Sequence, residues 1–252
     1  MLLSFCRKKP HNRKKSGPTG AFVSSLDNSV LRGVKQSMFA FLMLLLLATP
    51  AMAQQTPAAP AQATAPAGKK VLAFGDSLTA GYGLKREEAL PFQLQALFDA
   101  QGIPVTFVQG GVSGDTTATA LNRLEWTLKR QNPDYAIVAL GGNDMLRAID
   151  PAASEKNLRR ILDTFKAQNI PVLIAGMRAP LSYGAAYSQG YDKMYASLAK
   201  EYGAVFYPFL LEGVAQNPAL NLRDGVHPNA QGVQLVARGL YPSVVELLKK
   251  KK

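Results

Sequence analysis

Two histidines, His11 and His227, and one cysteine, Cys6, are all the imidazoles and thiols in the 252-residue chain. A zinc site draws several ligands mostly from Cys and His, so the composition argues against a metal centre, and no cofactor is expected. What remains for chemistry is a hydroxyl activated by a base. A serine is a poor nucleophile at neutral pH until a neighbouring group takes its proton, and that group must titrate near the working pH, which selects histidine. His227 is the one candidate in the body of the chain. Asp224 precedes it by three residues in Asp224-Gly225-Val226-His227-Pro228. From there a carboxylate can reach the far ring nitrogen across a single turn and hold one tautomer. Ser77, in Gly75-Asp76-Ser77-Leu78, is the candidate nucleophile.

Acyl transfer also needs hydrogen-bond donors for the oxyanion of its tetrahedral intermediate. Glycine loops offer backbone N–H groups and an amide side chain offers another. The Ser77 N–H, the Gly114 N–H in Gly110-Gly111-Val112-Ser113-Gly114-Asp115 and the Asn143 Nδ2 in Gly141-Gly142-Asn143-Asp144 would serve, with Gly110 or Gly111 as alternatives in the second loop. Each residue alone has a plainer role. Ser77 could cap a helix, Asn143 could stabilise a turn, and Asp76, Asp115 and Asp144 read as caps and turn braces. The combination of the four blocks favours catalysis.

These blocks need a scaffold that brings them to one edge. Val71 to Phe74, Val105 to Val108 and Tyr135 to Leu140 are short apolar runs that each stop at glycine, and Val172 to Ala175 and Ala204 to Phe206 are two more. Runs of this type suit a parallel sheet covered on both faces. Between them lie helical periods: Leu121, Leu124 and Leu128; Leu158, Ile161, Leu162 and Phe165; Val233, Val236, Leu240, Val244 and Leu247. Asp150-Pro151 is an N-cap followed by proline at the first helical position. Alternating strands and helices predict an α/β fold, a three-layer α/β/α sandwich. In an open parallel sheet the ligand crevice lies beyond the carboxyl ends of the strands, where the polar blocks fall.

Gly-Asp-Ser-Leu after the first strand, the glycine of the second block, Gly-Gly-Asn-Asp and Asp-Gly-Val-His-Pro together resemble the SGNH (GDSL-type) hydrolases, in particular their branch of secreted arylesterases, acyl-CoA thioesterases I and lysophospholipases. The likeness runs from about Val71 to Leu248. It implies a flavodoxin-like five-stranded parallel sheet, Ser77 as nucleophile, Gly114 and Asn143 as oxyanion donors, His227 as base and Asp224 as its orienter. It also implies an ester or lipid substrate of small-molecule size. Met177 to Gly184 resembles the loop after strand four in that branch, with Ser182 where the family has Asn; Met145 stands where Gly is common. Met145, Leu146, Pro180 and Tyr183 read either as pocket walls or as ordinary loop cover, and acyl-length preference is where these departures would act. Two alternatives are a carbohydrate O-deacetylase and a non-enzymatic phosphate-binding module. The first would want exposed aromatics, yet Trp126 is the only tryptophan and reads as a packing or surface residue; the second lacks G-x-x-x-x-G-K-[ST].

Charge separates the chain by position. Of the formal +12, residues 1–53 carry +7 and Lys249, Lys250, Lys251 and Lys252 carry +4, so the body is nearly neutral. Without a basic face, nucleic acid is not an expected partner. Basic residues from Arg7 to Lys35, an apolar run from Met38 to Ala48 and Ala51-Met52-Ala53 have the three parts of a signal peptide. The apolar run is too short for a hydrocarbon core of about 30 Å. Cleavage after Ala53 and export to the periplasm or beyond are expected, with an uncleaved anchor or a start nearer Met38 as alternatives. Residues 54–69 read as an Ala/Pro/Gln-rich spacer, 70–248 as the hydrolase domain and 249–252 as a solvated lysine tail, for which weak attraction to anionic lipid heads is the sharper reading.

Overall fold

The structure, a computed structural model, describes residues 68–251. The expected signal peptide and all but the end of the spacer lie outside the described residues. Five strands carry the sheet: β1 (Lys69–Gly75), β2 (Val105–Gly111), β3 (Tyr135–Ala139), β4 (Val172–Ala175) and β5 (Val205–Tyr207). All pairings are parallel and the order is β2-β1-β3-β4-β5. Seven helices accompany them: α1 (Ser77–Ala80), α2 (Leu90–Ala100), α3 (Thr117–Gln131), α4 (Gly142–Leu146), α5 (Pro151–Ala167), α6 (Ala185–Tyr202) and α7 (Ala230–Lys249).

The predicted sandwich is present. β3 and β4 are buried along their whole length, as strands covered on both faces must be. α2 packs on α7, while α5 packs on both α3 and α6, so the helices form two groups. Leu124, Leu128, Leu158, Ile161, Leu162, Phe165, Val236, Leu240 and Val244 all join the core, the faces that helical spacing picks out. Asp150 caps α5 by accepting from the Ala152 N–H, with Pro151 at the first helical position. Lys249 closes α7, and the Lys250 carbonyl accepts from the Tyr135 hydroxyl at 3.2 Å. The first residues of the expected solvated tail are therefore tied to the sheet. Among the described residues no helix is long and apolar enough to cross a membrane.

Register puts three strand ends level. Gly75 stands opposite both Gly111 and Ala139, so the loops leaving β1, β2 and β3 emerge side by side. The reversal of strand order falls between β1 and β3, where α/β sheets open a crevice. Glycine is required at these ends: a Cβ on Gly111 would lie 2.6 Å from the Ala80 nitrogen, and one on Gly75 would lie 2.7 Å from the Ala139 oxygen. Their absence lets α1 settle against the sheet edge.

Candidate active site

Ser77 opens α1 and is 8% exposed. It is not the cap: Asp76 is, accepting from the Leu78 N–H at 3.0 Å. Capping by the residue before the serine leaves the Ser77 hydroxyl unencumbered, and the hydroxyl stands 2.9 Å from the His227 Nε2. The loop before α7 delivers that ring. The Leu222 N–H donates to the His227 carbonyl at 2.7 Å and Asn221 bridges to Pro228, which pins a tight turn between them. Inside the turn, Asp224 Oδ2 lies 2.7 Å from the His227 Nδ1, while Oδ1 accepts the backbone N–H groups of Val226 and His227 at 2.9 and 3.0 Å. These backbone donors, with His227 first, hold the Asp224 carboxyl down to about 2, because each stabilises its ionised form.

Asn143 sits in α4, which follows a Gly141 at φ 113°, a conformation that favours glycine. Its Nδ2 donates to the Asp115 carbonyl at 2.9 Å and lies 3.5 Å from Asp76 Oδ2. A primary amide has two hydrogens: the Asp115 bond fixes the plane of the group, and the second hydrogen makes only the long 3.5 Å bond to Asp76 Oδ2, which an oxyanion could displace. In the second loop the alternatives separate. The Gly111 N–H is taken by the Gln109 side chain at 2.8 Å, and Gly110 is locked in the β1–β2 ladder with no room for a Cβ beside Leu72. Gly114, at φ 86° and open to solvent on its Cβ side, lies beyond the strand.

The three aspartates that read as braces are braces, and buried ones. Asp144 accepts from the Thr117 N–H at 2.9 Å, the Thr117 hydroxyl at 2.6 Å and the Ser154 hydroxyl at 3.1 Å, which ties α4 to α3 and α5. Asp115 pairs with Arg123 at 2.6 Å. The Arg123 Nη2 donates in turn to the Gly75 and Gly110 carbonyls at 3.0 and 2.9 Å, clamping the ends of β1 and β2. Burial pushes the Asp76 carboxyl up to about 6, against the lowering pull of the Leu78 N–H and of His227. The Arg123 clamp is absent from the sequence reading, since one arginine on a helix face carries no local signal of two carbonyls at strand ends.

A cavity of about 530 Å³ opens beside Ser77, Asn143 and His227. Its walls include the candidates Met145, Leu146 and Pro180, and also Met177, Ala179, Leu181, Phe209, Leu211 and Val226 from the loops after β4 and β5 and the histidine turn. Tyr183 is not among the wall residues. It starts a column of tyrosines at four-residue spacing, Tyr183, Tyr187, Tyr191 and Tyr195, whose successive rings lie 5.5, 5.2 and 6.4 Å apart along α6. The hydroxyls of Tyr187 and Tyr191 donate to the Ile149 carbonyl and that of Tyr195 to the Leu140 carbonyl, so the column anchors the segment carrying Asn143. Its i, i+4 spacing was legible. Trp126 is 63% exposed on α3 with Arg130 over its ring, and is not a wall residue. Tyr82 is the aromatic that the sequence reading missed at the site, its ring 4.5 Å from the His227 imidazole.

A parallel sheet in this order, with its polar blocks on one edge, is the flavodoxin-like sheet that the SGNH hydrolases share. A profile of the GDSL-like Lipase/Acylhydrolase family matches residues 73–235. The "Thioesterase 1/protease 1/lysophospholipase L1" of Escherichia coli (strain K12) is 36% identical over 173 residues, covering 69% of this chain and 82% of that protein. An "Arylesterase" of Vibrio mimicus is 33% identical over 186 residues, 74% of this chain and 93% of its own. Among solved structures, the SGNH-hydrolase family esterase AlinE4 is 43% identical with a TM-score of 0.61, covering 73% of this chain and 98% of that one. The chain belongs to the GDSL-like lipase/acylhydrolase family, and it is a hydrolase of ester bonds.

Proposed function

We propose that hydrolysis runs through an acyl-serine intermediate on Ser77. The observation that carries this reading is the continuous chain Ser77 Oγ, His227 Nε2, His227 Nδ1, Asp224 Oδ2, with contacts of 2.9 and 2.7 Å at its two ends. Ser77 Oγ attacks the ester carbonyl carbon while its proton passes to His227 Nε2. Asp224, ionised and held by two backbone N–H groups, keeps the Nδ1 hydrogen in place and stabilises the imidazolium. The carbonyl oxygen becomes an oxyanion, for which the donors are the Ser77 N–H, the Gly114 N–H and the second hydrogen of Asn143 Nδ2. The C–O bond to the alcohol then breaks, and the leaving oxygen takes the proton from Nε2. Water repeats the sequence: it gives its proton to Nε2, its oxygen attacks the acyl carbon, and the acid departs as Ser77 recovers its hydrogen.

The cavity walls support an acyl chain as the group that is recognised. Seven of the named walls, Met145, Leu146, Met177, Leu181, Phe209, Leu211 and Val226, are apolar and sizeable, and such a surface gains by covering methylenes at about 0.8 kcal/mol each. Arg178, Glu212, Gln216 and Asn221 also line the cavity, so a sugar would find some partners, but most of its hydroxyls would face the apolar walls, which favours an acyl chain over a sugar ring. Short to medium acyl or aryl esters are therefore the proposed substrates. Thioesters and lysophospholipids, the substrates named for the Escherichia coli relative, share the acyl half and are proposed with them. Export after cleavage at Ala53 is proposed from the sequence, and a mature protein beginning at Gln54 is its test.

Ser77→Ala tests the reading. Hydrolysis of p-nitrophenyl butyrate should fall by at least about three orders of magnitude in a folded protein. Retained turnover would remove Ser77 from the scheme.

A further inference from the structure

We propose that Tyr82 forms the leaving-group subsite: its ring is the platform past which an aromatic alcohol departs, so it sets a preference for aryl over alkyl esters. This rests on Ser77 as nucleophile and on the apolar cavity as the acyl pocket.

The first support is placement. The cavity is walled by Asp76, Ser77 and Leu78 after β1, by segments after β3, β4 and β5 and by the histidine turn, and Tyr82 is not among its walls. Tyr82 instead belongs to the turn that ends α1, its N–H donating to the Ser77 carbonyl at 3.1 Å. Tyr82 thus sits against the Ser77 backbone and outside the cavity walls. An ester with its acyl chain in the cavity directs its alcohol away from it.

The second support is chemical. As the C–O bond of the tetrahedral intermediate breaks, its electron pair goes to the leaving oxygen, which takes the proton from His227 Nε2. The imidazole is therefore beside the departing group, and Tyr82 is the ring packed at a tilt against that imidazole, 4.5 Å between centroids and 37° between planes. Despite that contact the residue is 52% exposed, so apolar ring surface is left for a second aromatic to cover. Gly83, at φ 73°, lies so near Leu222 that a Cβ there would be 2.9 Å from its Cδ1, so the Tyr82 turn packs beside the loop bearing His227. A ring held against the proton donor is placed to meet an aromatic leaving group as it takes that proton.

The test is a ratio of kcat/KM values in the full chain, with phenyl butyrate, ethyl butyrate and ethyl benzoate as substrates and Tyr82→Leu and Tyr82→Phe as variants. An aromatic pair contributes about 0.5–1.5 kcal/mol beyond area burial, or about two- to twelvefold. Tyr82→Leu should lower the phenyl butyrate to ethyl butyrate ratio by that factor, Tyr82→Phe should retain it, and the ethyl benzoate to ethyl butyrate ratio should stay put. Equal losses on all three esters would overturn the subsite by reducing Tyr82 to a support for His227. A loss confined to ethyl benzoate would overturn it by placing the acyl group on Tyr82. Ser77→Ala separates the two levels: if it abolishes turnover while the aryl ratio is unmoved in Tyr82→Leu, only the subsite fails.

Discussion

One carboxylate of Asp224 holds His227 at two points, the ring through Oδ2 at 2.7 Å and the backbone N–H through Oδ1 at 3.0 Å. The second contact fixes the direction of the first. An imidazole on a loop would otherwise sample several rotamers, and here the turn that carries it also supplies the donors that keep Asp224 ionised.

Asp224→Asn keeps the size of the group and removes its charge. The side chain can then present an N–H to Nδ1 and favour the wrong tautomer, so kcat for p-nitrophenyl butyrate should drop by about three to four orders of magnitude with the fold intact. A drop of less than tenfold would show that orientation comes from the turn alone.

Asn143→Ala removes one oxyanion donor and frees the Asp115 carbonyl. The expected loss is on the order of a hundredfold in kcat with little change in KM, because the developing charge exists only in the transition state. An effect confined to KM would reassign Asn143 to substrate binding.

Ala179 is a small buried wall of the cavity, and Ala179→Phe would fill the acyl space. Its kcat/KM should fall steeply for p-nitrophenyl esters of eight carbons or more and little for the acetate. A uniform loss along the series would mean that the acyl chain lies elsewhere.

Asp76 provides a pH signature. Its folded pKa, about 6, stands above the ordinary 3.8 because burial penalises the charge. The folded state therefore binds this proton more tightly than the unfolded one. The associated stability is complete below about pH 4 and is lost as pH rises through 6, an effect of about 3 kcal/mol at the size of this shift. Asp76→Asn, which keeps the acceptor for the Leu78 N–H, should be more stable than the parent at pH 8 and converge with it near pH 4 in urea melts. A constant difference across that range would remove the buried charge as its cause.

Much of this was legible because it is local. Three apolar runs ending in glycine marked β1, β2 and β3, and Asp150-Pro151 marked the start of α5, since strand burial and helix capping act over a few residues. Asp224 and His227 form a turn, so their spacing was enough. Ser77 and His227 could be matched because the sheet topology carries both blocks to one edge. What was not legible depends on long-range packing. Arg123 meets the Gly75 and Gly110 carbonyls only once α3 lies across the strand ends. The walls Phe209 and Leu211 come from an irregular segment with no period to read. Tyr183 follows the pocket loop Met177 to Leu181, and its spacing to Tyr187 places it in the tyrosine column instead of the cavity wall.

The most direct measurement is covalent trapping with an alkyl fluorophosphonate, followed by intact-mass analysis and peptide mapping. A serine activated by His227 should displace fluoride to give one phosphonyl adduct, on the peptide bearing Ser77, with loss of esterase activity in step with labelling. Ser77→Ala should take no label and His227→Ala should label far more slowly. An adduct on another residue, or full inactivation without modification of Ser77, would contradict the account.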